Sequence, residues 1–314
     1  MTEDQLVAAI ARRLQDVAPA KLLVGIGDDA AVWQPSRNNR SVITTDALVE
    51  GIDFTKESMS AQDAGYRALA ANLSDIAAMG ARPVLATVTL GFPAGTDTNW
   101  LLACYDGIAS LAKSAQCPVA GGDITRAPSI LLSISIVGEV RASNLKLRSG
   151  ARPGDVLVTT GPLGASHAGM LVALDRPDLA ADPAFAGVLA AFRRPQPRLR
   201  EGRWLGASRH VHAMMDISDG LSTDVARLCD ASGCGAVIET VPVAQGATHD
   251  GALNGGEDFE LLAAVDKRAF AHLATRFRSR FAKDLLRVGT IIEGAGVRFA
   301  NGAVIAPAGW DHLR

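Results

Sequence analysis

Ser143-Asn-Leu-Lys-Leu-Arg-Ser-Gly-Ala-Arg-Pro-Gly-Asp155 is the stretch from which the rest of the chain is best read. It is polar and carries Gly150, Pro153 and Gly154, so it marks a boundary between two halves. Helical and strand-like segments alternate on both sides of it. Upstream, residues 2–17 put Leu6, Ile10, Leu14 and Val17 on one helical stripe. Residues 61–79 do the same with Leu69, Leu73 and Ile76, and Gly80 is the stop. A third helix is predicted over 98–115, with β-rich runs at 30–33, 41–45, 84–90 and 129–140. Downstream the pattern restarts with a strand over 155–160, a turn at Gly161–Gly164 and a helix over 165–174. Further strands are predicted at 212–215, 236–240, 259–265 and 285–292, and further helices at 222–231 and 267–280. Asn301-Gly302 marks a late hairpin. The expectation is α plus β in two domains, 1–142 and 151–314.

Composition agrees with that organisation and excludes several classes. A chain of 314 residues allows about two domains. Hydrophobic residues at 48% and charged residues at 20% are the proportions of a soluble globular protein and argue against disorder. Lys plus Arg (31) nearly balances Asp plus Glu (33), which excludes a nucleic-acid-coating protein. No apolar stretch reaches the ~20 residues of a membrane helix. The N-terminal MTEDQLVAAIARRLQDV starts acidic and lacks a signal-peptide layout, so the expected location is the cytoplasm. Cys104, Cys117, Cys229 and Cys234 are too few for a disulfide framework and are expected to be packed thiols. There is no HExxH, and no His sits beside a G-x-S-x-G serine.

The placement of acids is what points to chemistry. Asp28-Asp29 lie in GIGDDAAVW, Asp46 ends ITTD, Asp75 lies in NLSDIAAMGA and Asp123 closes AGGD. Asp216 and Asp219 lie in MMDISDGLSTD, and Glu257-Asp258 in LNGGEDFELL. All are set among apolar residues and Gly with almost no Lys or Arg nearby. A carboxylate there is costly unless a cation or hydrogen-bond donors compensate. The bland reading is caps and turns, and it is strongest for Asp219, which opens a predicted helix. Taken together, the acids suit hard divalent cations, each holding one or two carboxylates and leaving positions for phosphate oxygens. ITTD and MMDISD, and the Gly-Gly-acid turns GGD (121–123) and GGED (255–258), also hint at related halves. No P-loop is present. Gly25-Ile-Gly27-Asp28-Asp29-Ala30 matches a dinucleotide pattern, but two Asp would repel a bare pyrophosphate and AAVW reads as strand.

GIGDDAAV, ITTDALVEGIDF, NLSDIAAMGA, GGDITR, LRSGARPGD, MDISDGL, GGEDFELL and GWDH, in that order, resemble the thiamine-monophosphate kinase family. That family lies in the superfamily of aminoimidazole ribonucleotide synthetase. The resemblance spans residues 24–312. It implies an α/β fold of two domains, each a mixed sheet with packed helices, and a homodimer formed through N-terminal-domain strands. The implied activity is ATP-dependent phosphorylation of thiamine monophosphate, with several Mg²⁺ ions and K⁺ as a further candidate. Carried over, the metal ligands fall on Asp29, Thr44, Thr45, Asp46, Asp75, Asp123, Asp216 and Asp219. ATP contacts fall on Tyr105, Gly122, Asp123, Arg148 and Ser218, and substrate contacts on Asp53, Glu257 and Trp310. Direct in-line transfer is expected, without a side-chain nucleophile.

Two features depart from the family pattern: Asp53 stands where His is usual, and the segment between Glu239 and Asn254 is short. The rivals are another ATP-using superfamily member and a non-catalytic nucleotide-binding regulator. Selenophosphate synthetase would need a reactive Cys near the N-terminus, yet the first Cys is Cys104. A regulator would be expected to have lost some metal carboxylates, and every motif keeps its acid.

Overall fold

The computed structural model of the chain describes residues 3–14, 22–24 and 32–309. Asp28, Asp29 and Trp310 lie outside the described residues. The chain divides into two compact units, 1–76 with 82–142, and 77–81 with 143–314.

In the first unit the elements are α1 (Glu3–Leu14), β1 (Leu22–Val24), β2 (Val32–Trp33), β3 (Asn39–Val49), α2 (Ala61–Ala78), β4 (Arg82–Phe92), α3 (Thr98–Ala115), β5 (Val119–Arg126) and β6 (Leu131–Arg141). β1 and β2 pair alone, and the others form a sheet of order β3-β6-β4-β5. Only β4 and β5 run parallel, joined through α3. Leu132, Ile134 and Ile136 alternate into the core along β6, as a strand covered on one face requires. α3 occupies its predicted span because both ends are specified. Asp97 accepts the Asn99 N–H as N-cap, and Gln116 closes the helix in a left-handed conformation.

Glycine sets how closely helices approach in this unit. A Cβ on Gly107 would lie 1.9 Å from the Gln62 carbonyl, and one on Gly65 1.9 Å from the Cys104 carbonyl. Backbone stands in the way on both sides, so α2 and α3 would have to separate. Gly107→Ala is expected to destabilise by about 1–3 kcal/mol or more. An unchanged urea midpoint would show that the crossing is looser than this.

The second unit comprises β7 (Val156–Thr159), α4 (Ala165–Asp175), α5 (Ala186–Arg193), α6 (Leu199–Gly206), β8 (Val211–Asp216), α7 (Leu221–Ser232), β9 (Gly235–Ile238), α8 (His249–Asn254), β10 (Leu261–Val265), α9 (Phe270–Phe281), β11 (Leu286–Ile292), β12 (Gly296–Phe299) and β13 (Val304–Ile305). Its sheet has the order β13-β12-β9-β11-β7-β10-β8, with β12 parallel to β9. The interior strand β10, between β7 and β8, is buried on both faces. Leu262 and Ala264 join a core with Leu221, Val225 and Leu228 of α7. Leu261, Ala263 and Val265 join another with Leu205, Leu273 and Phe277. That is why β10 reads as an unbroken apolar run.

Three expectations need correction. The GGD at 121–123 is no turn but part of β5, with Gly122 opposite Val88. A Cβ on Gly122 would lie 1.9 Å from the Val88 carbonyl, so close backbone approach explains the glycine. GGED, by contrast, follows α8 as a loop, so the two motifs are not structural equivalents. Asp46 does not end its strand, since β3 continues to Val49. Asp219 is not a helix cap: Gly220 holds that position without a side-chain bond, and Asp219 pairs with Arg227 instead. The four cysteines are free and buried, as expected. Burial pushes the Cys117 and Cys229 thiols up to about 12, which keeps them inert.

Candidate functional site

The first unit carries one group of predicted residues around its sheet. Thr44 and Asp46 share the face of β3 that pairs with Ile136 and Ile134, and Thr44 donates a hydrogen bond to Asp75 of α2. Thr45 points to the other face, bonding the Ile134 carbonyl at 3.1 Å and accepting from Ser135 at 3.0 Å. Asp46 and Asp123 are both exposed. They sit on β3 and β5, the two edges of the sheet, about 14 Å apart at three strand spacings.

Tyr105, Gly122 and Asp123 come together. With Val7, Ile10 and Leu14 of α1 and with Val119, Gly121 and Ile124 of β5, they line a cavity of about 170 Å³. α1 is tied to α3 by an ion pair between Arg13 and Asp106 at 2.7 Å. The cavity is apolar except for the Tyr105 phenol, backbone groups and Asp123, a lining that suits a flat aromatic group. Asp53 has a local role, because its carboxylate accepts the Val49 N–H at 2.7 Å and closes the turn after β3.

In the second unit the SDG turn is the centre. Asp216 ends β8 at 2% exposure. The Ser218 and Asp219 N–H groups both donate to Asp224 at 3.1 Å. Arg227 reaches back from α7 to Asp219, and to Asp224 at 3.0 Å. Asp219 therefore already has a cation beside it. The GGED loop lies against the same turn, with Glu257 N–H donating to the Ser218 carbonyl at 2.7 Å. Gly309 N–H donates to Thr223 at 3.0 Å, which brings Gly309 beside the Asp219 carbonyl. Arg148 is exposed, and its carbonyl accepts from Ser232 at 2.9 Å.

Asp224, Arg227 and Asp258 were not singled out as site residues from the sequence. The only local signal for the first two was their spacing of three on a predicted helix. Burial pushes the Asp258 carboxyl up to about 7, against the pull of the Gly164 and Ser166 N–H groups and helped by Glu260. An unfolded Asp titrates near 4, so between roughly pH 4 and 7 the folded chain holds the extra proton. Stability from this group is full below about pH 4 and is lost as pH rises through about 7. Denaturant unfolding across that range is expected to show a decline that Asp258→Asn removes. Parallel declines in both proteins would refute the assignment.

The donors fit a hard cation, being carboxylate and hydroxyl oxygens throughout. Among the described residues, no three Asp, Glu, His or Cys side chains are grouped to hold one ion. The separation of Asp46 from Asp123 prevents them from sharing one. One or two carboxylates at a position is what Mg²⁺ commonly takes from a protein.

The comparisons with known proteins agree with this architecture. The family described as AIR synthase related protein, N-terminal domain, matches residues 27–140, and its C-terminal domain matches residues 152–300. The chain thus has the two-domain architecture of the AIR synthase related proteins. Thiamine-monophosphate kinase of Rhodopirellula baltica is 36% identical over 306 residues, 91% of this chain and 87% of that protein. The crystal structure of thiamine-monophosphate kinase from Stenotrophomonas maltophilia superposes with a TM-score of 0.86 at 31% identity, covering 97% of this chain and 98% of the other. A structure of AaThiL complexed with AMPPCP and TMP has a TM-score of 0.78 at 28% identity, covering 99% and 96%. Within that class, the chain belongs to the thiamine-monophosphate kinase family. No helix among the described residues is long and apolar enough to cross a membrane.

Proposed function

We propose that this chain transfers the γ-phosphoryl group of ATP to the phosphate of thiamine monophosphate, giving thiamine diphosphate and ADP. The observation that carries the reading is kinship with thiamine-monophosphate kinases along nearly the whole chain, with the acid motifs kept in series. Bound Mg²⁺ supplies charge neutralisation between two phosphates that must meet.

The chain's own part is to bind and orient. In the first unit, Asp46 and Asp75 with Thr44, and separately Asp123, would hold cations, while Thr45, whose hydroxyl lies on the other face of β3, would have to act from there. The cavity at Tyr105 and Gly122 would take the adenine. In the second unit, Asp216 and Asp219 would hold cations, with Ser218 and Arg148 at the nucleotide and Glu257 at the thiamine phosphate. Asp29 and Trp310 complete the metal and substrate sets. Asp53, which also accepts the Val49 N–H, is a further substrate contact in this reading. A substrate phosphate is ionised near neutral pH, so transfer needs no strong base and no side-chain nucleophile.

A cytoplasmic homodimer belongs to the same reading, and K⁺ is a further ion to test. The homodimer is supported by the edge strand β3, which leaves Ile43 73% exposed. The functional test is ADP release from Mg·ATP with thiamine monophosphate, thiamine, an aminoimidazole precursor or no acceptor. Turnover restricted to thiamine monophosphate is expected. Binding of Mg·ATP without turnover of any acceptor would favour the regulator, and labelled protein in a rapid quench with γ-labelled ATP would overturn direct transfer.

A further inference from the structure

The GGED loop is held in a costly conformation. Glu257 has φ +64° and Phe259 φ +50°, both in the left-handed region. Such residues cost about 1–3 kcal/mol each and persist only where the surroundings over-determine them. Asp258 sits between them. Its carboxylate accepts the Gly164 N–H at 2.7 Å and the Ser166 N–H at 3.2 Å, at the start of α4. α4 has no side-chain cap from Gly164 itself. On its other side the loop is pinned to the SDG turn: Glu257 N–H reaches the Ser218 carbonyl at 2.7 Å and Phe259 N–H the Ile217 carbonyl at 3.0 Å. A Cβ on Gly256 would lie 2.2 Å from the Ser218 carbonyl, so the contact admits no side chain there.

We propose that Asp258 is a positioning residue that holds Glu257 in place for the substrate by clamping the strained loop to the first amides of α4. The kinetic part rests on the function proposed above; the structural part does not. An ionised carboxylate offers an acceptor to each of the two N–H groups, whereas an Asn of the same size offers one acceptor and turns a donor toward the other. Asp258→Asn therefore breaks one half of the clamp with little change in volume. Asp258→Ala removes both halves.

The test compares wild type, Asp258→Asn and Asp258→Ala at pH 8. It combines steady-state kinetics for each substrate with amide hydrogen exchange of the 255–264 segment. In Asp258→Asn, KM for thiamine monophosphate is expected to rise about tenfold, the worth of one charge-assisted hydrogen bond. KM for ATP should change by less than about threefold, the smaller share expected of a residue that acts through Glu257. Exchange at the Glu257 and Phe259 amides should speed up about tenfold, while Leu262 and Ala264 in the core strand stay protected. Unchanged exchange at Glu257 and Phe259 would overturn the clamp. So would faster exchange across Leu262 and Ala264 with both KM values and kcat worsening together, the mark of general loosening. If wild type does not use thiamine monophosphate, the functional reading fails, and the exchange data still decide the clamp.

Discussion

Glu260→Ala is expected to destabilise the second unit by about 3–5 kcal/mol, the cost of leaving a largely buried charge without its partner. Glu260 is 4% exposed. It binds Arg198 through two nitrogens, Nε at 2.8 Å and Nη2, and accepts from Thr160 at 2.6 Å. Thr160 in turn accepts the Leu261 N–H at 2.8 Å, so the network ties β7 to the start of β10. Truncation strands the Arg198 guanidinium and frees the Thr160 hydroxyl. The paired replacement Arg198→Met with Glu260→Leu should recover most of the loss, because it removes both charges and keeps apolar volume. Urea unfolding of the two single variants and the pair gives the answer. A single-variant loss below about 1 kcal/mol would place this pair with surface ion pairs.

Asp216→Asn should leave the fold intact and lower kcat/KM by about a thousandfold or more. The several kcal/mol of charge stabilisation that a bound Mg²⁺ supplies sets that size. Asp216 is the last residue of β8, 2% exposed and opposite Leu261, so an isosteric amide fits the same space. The melting temperature should move little while the Mg²⁺ dependence of the residual rate weakens. Arg227→Ala is the informative contrast, since it removes the cation beside Asp219 while keeping every carboxylate. Activity within tenfold of wild type in Asp216→Asn would remove this residue from the metal set.

The longer helices and most strands are legible because their signals are local. Asp97 and Gln116 bracket α3, and the apolar stripe of α2 stops at Gly80. β5 was missed because Gly121-Gly122 reads as a turn, and only the approach of the Val88 carbonyl explains those glycines within a strand. The apolar run starts two residues before β10 does, since Phe259 is left-handed and cannot continue a strand backwards. α5, α6 and α8 were not predicted; at six to eight residues each, their periodicity is too brief to register. In the site, the acidic motifs stood out as sequence, but their partners did not. Arg227 reaches Asp219 only because α7 carries it back eight residues, and the Asp258 bonds to α4 join positions more than ninety residues apart.

The central claim is that the acid motifs serve transfer from ATP to a phosphate acceptor. Phosphorus NMR of the protein with Mg·ATP and thiamine monophosphate tests it most directly, with a parallel sample containing excess chelator. Thiamine diphosphate and ADP should appear together in equal amounts, and neither should form once Mg²⁺ is removed. ADP accompanied by free inorganic phosphate, or thiamine diphosphate formed at full rate without Mg²⁺, would contradict it.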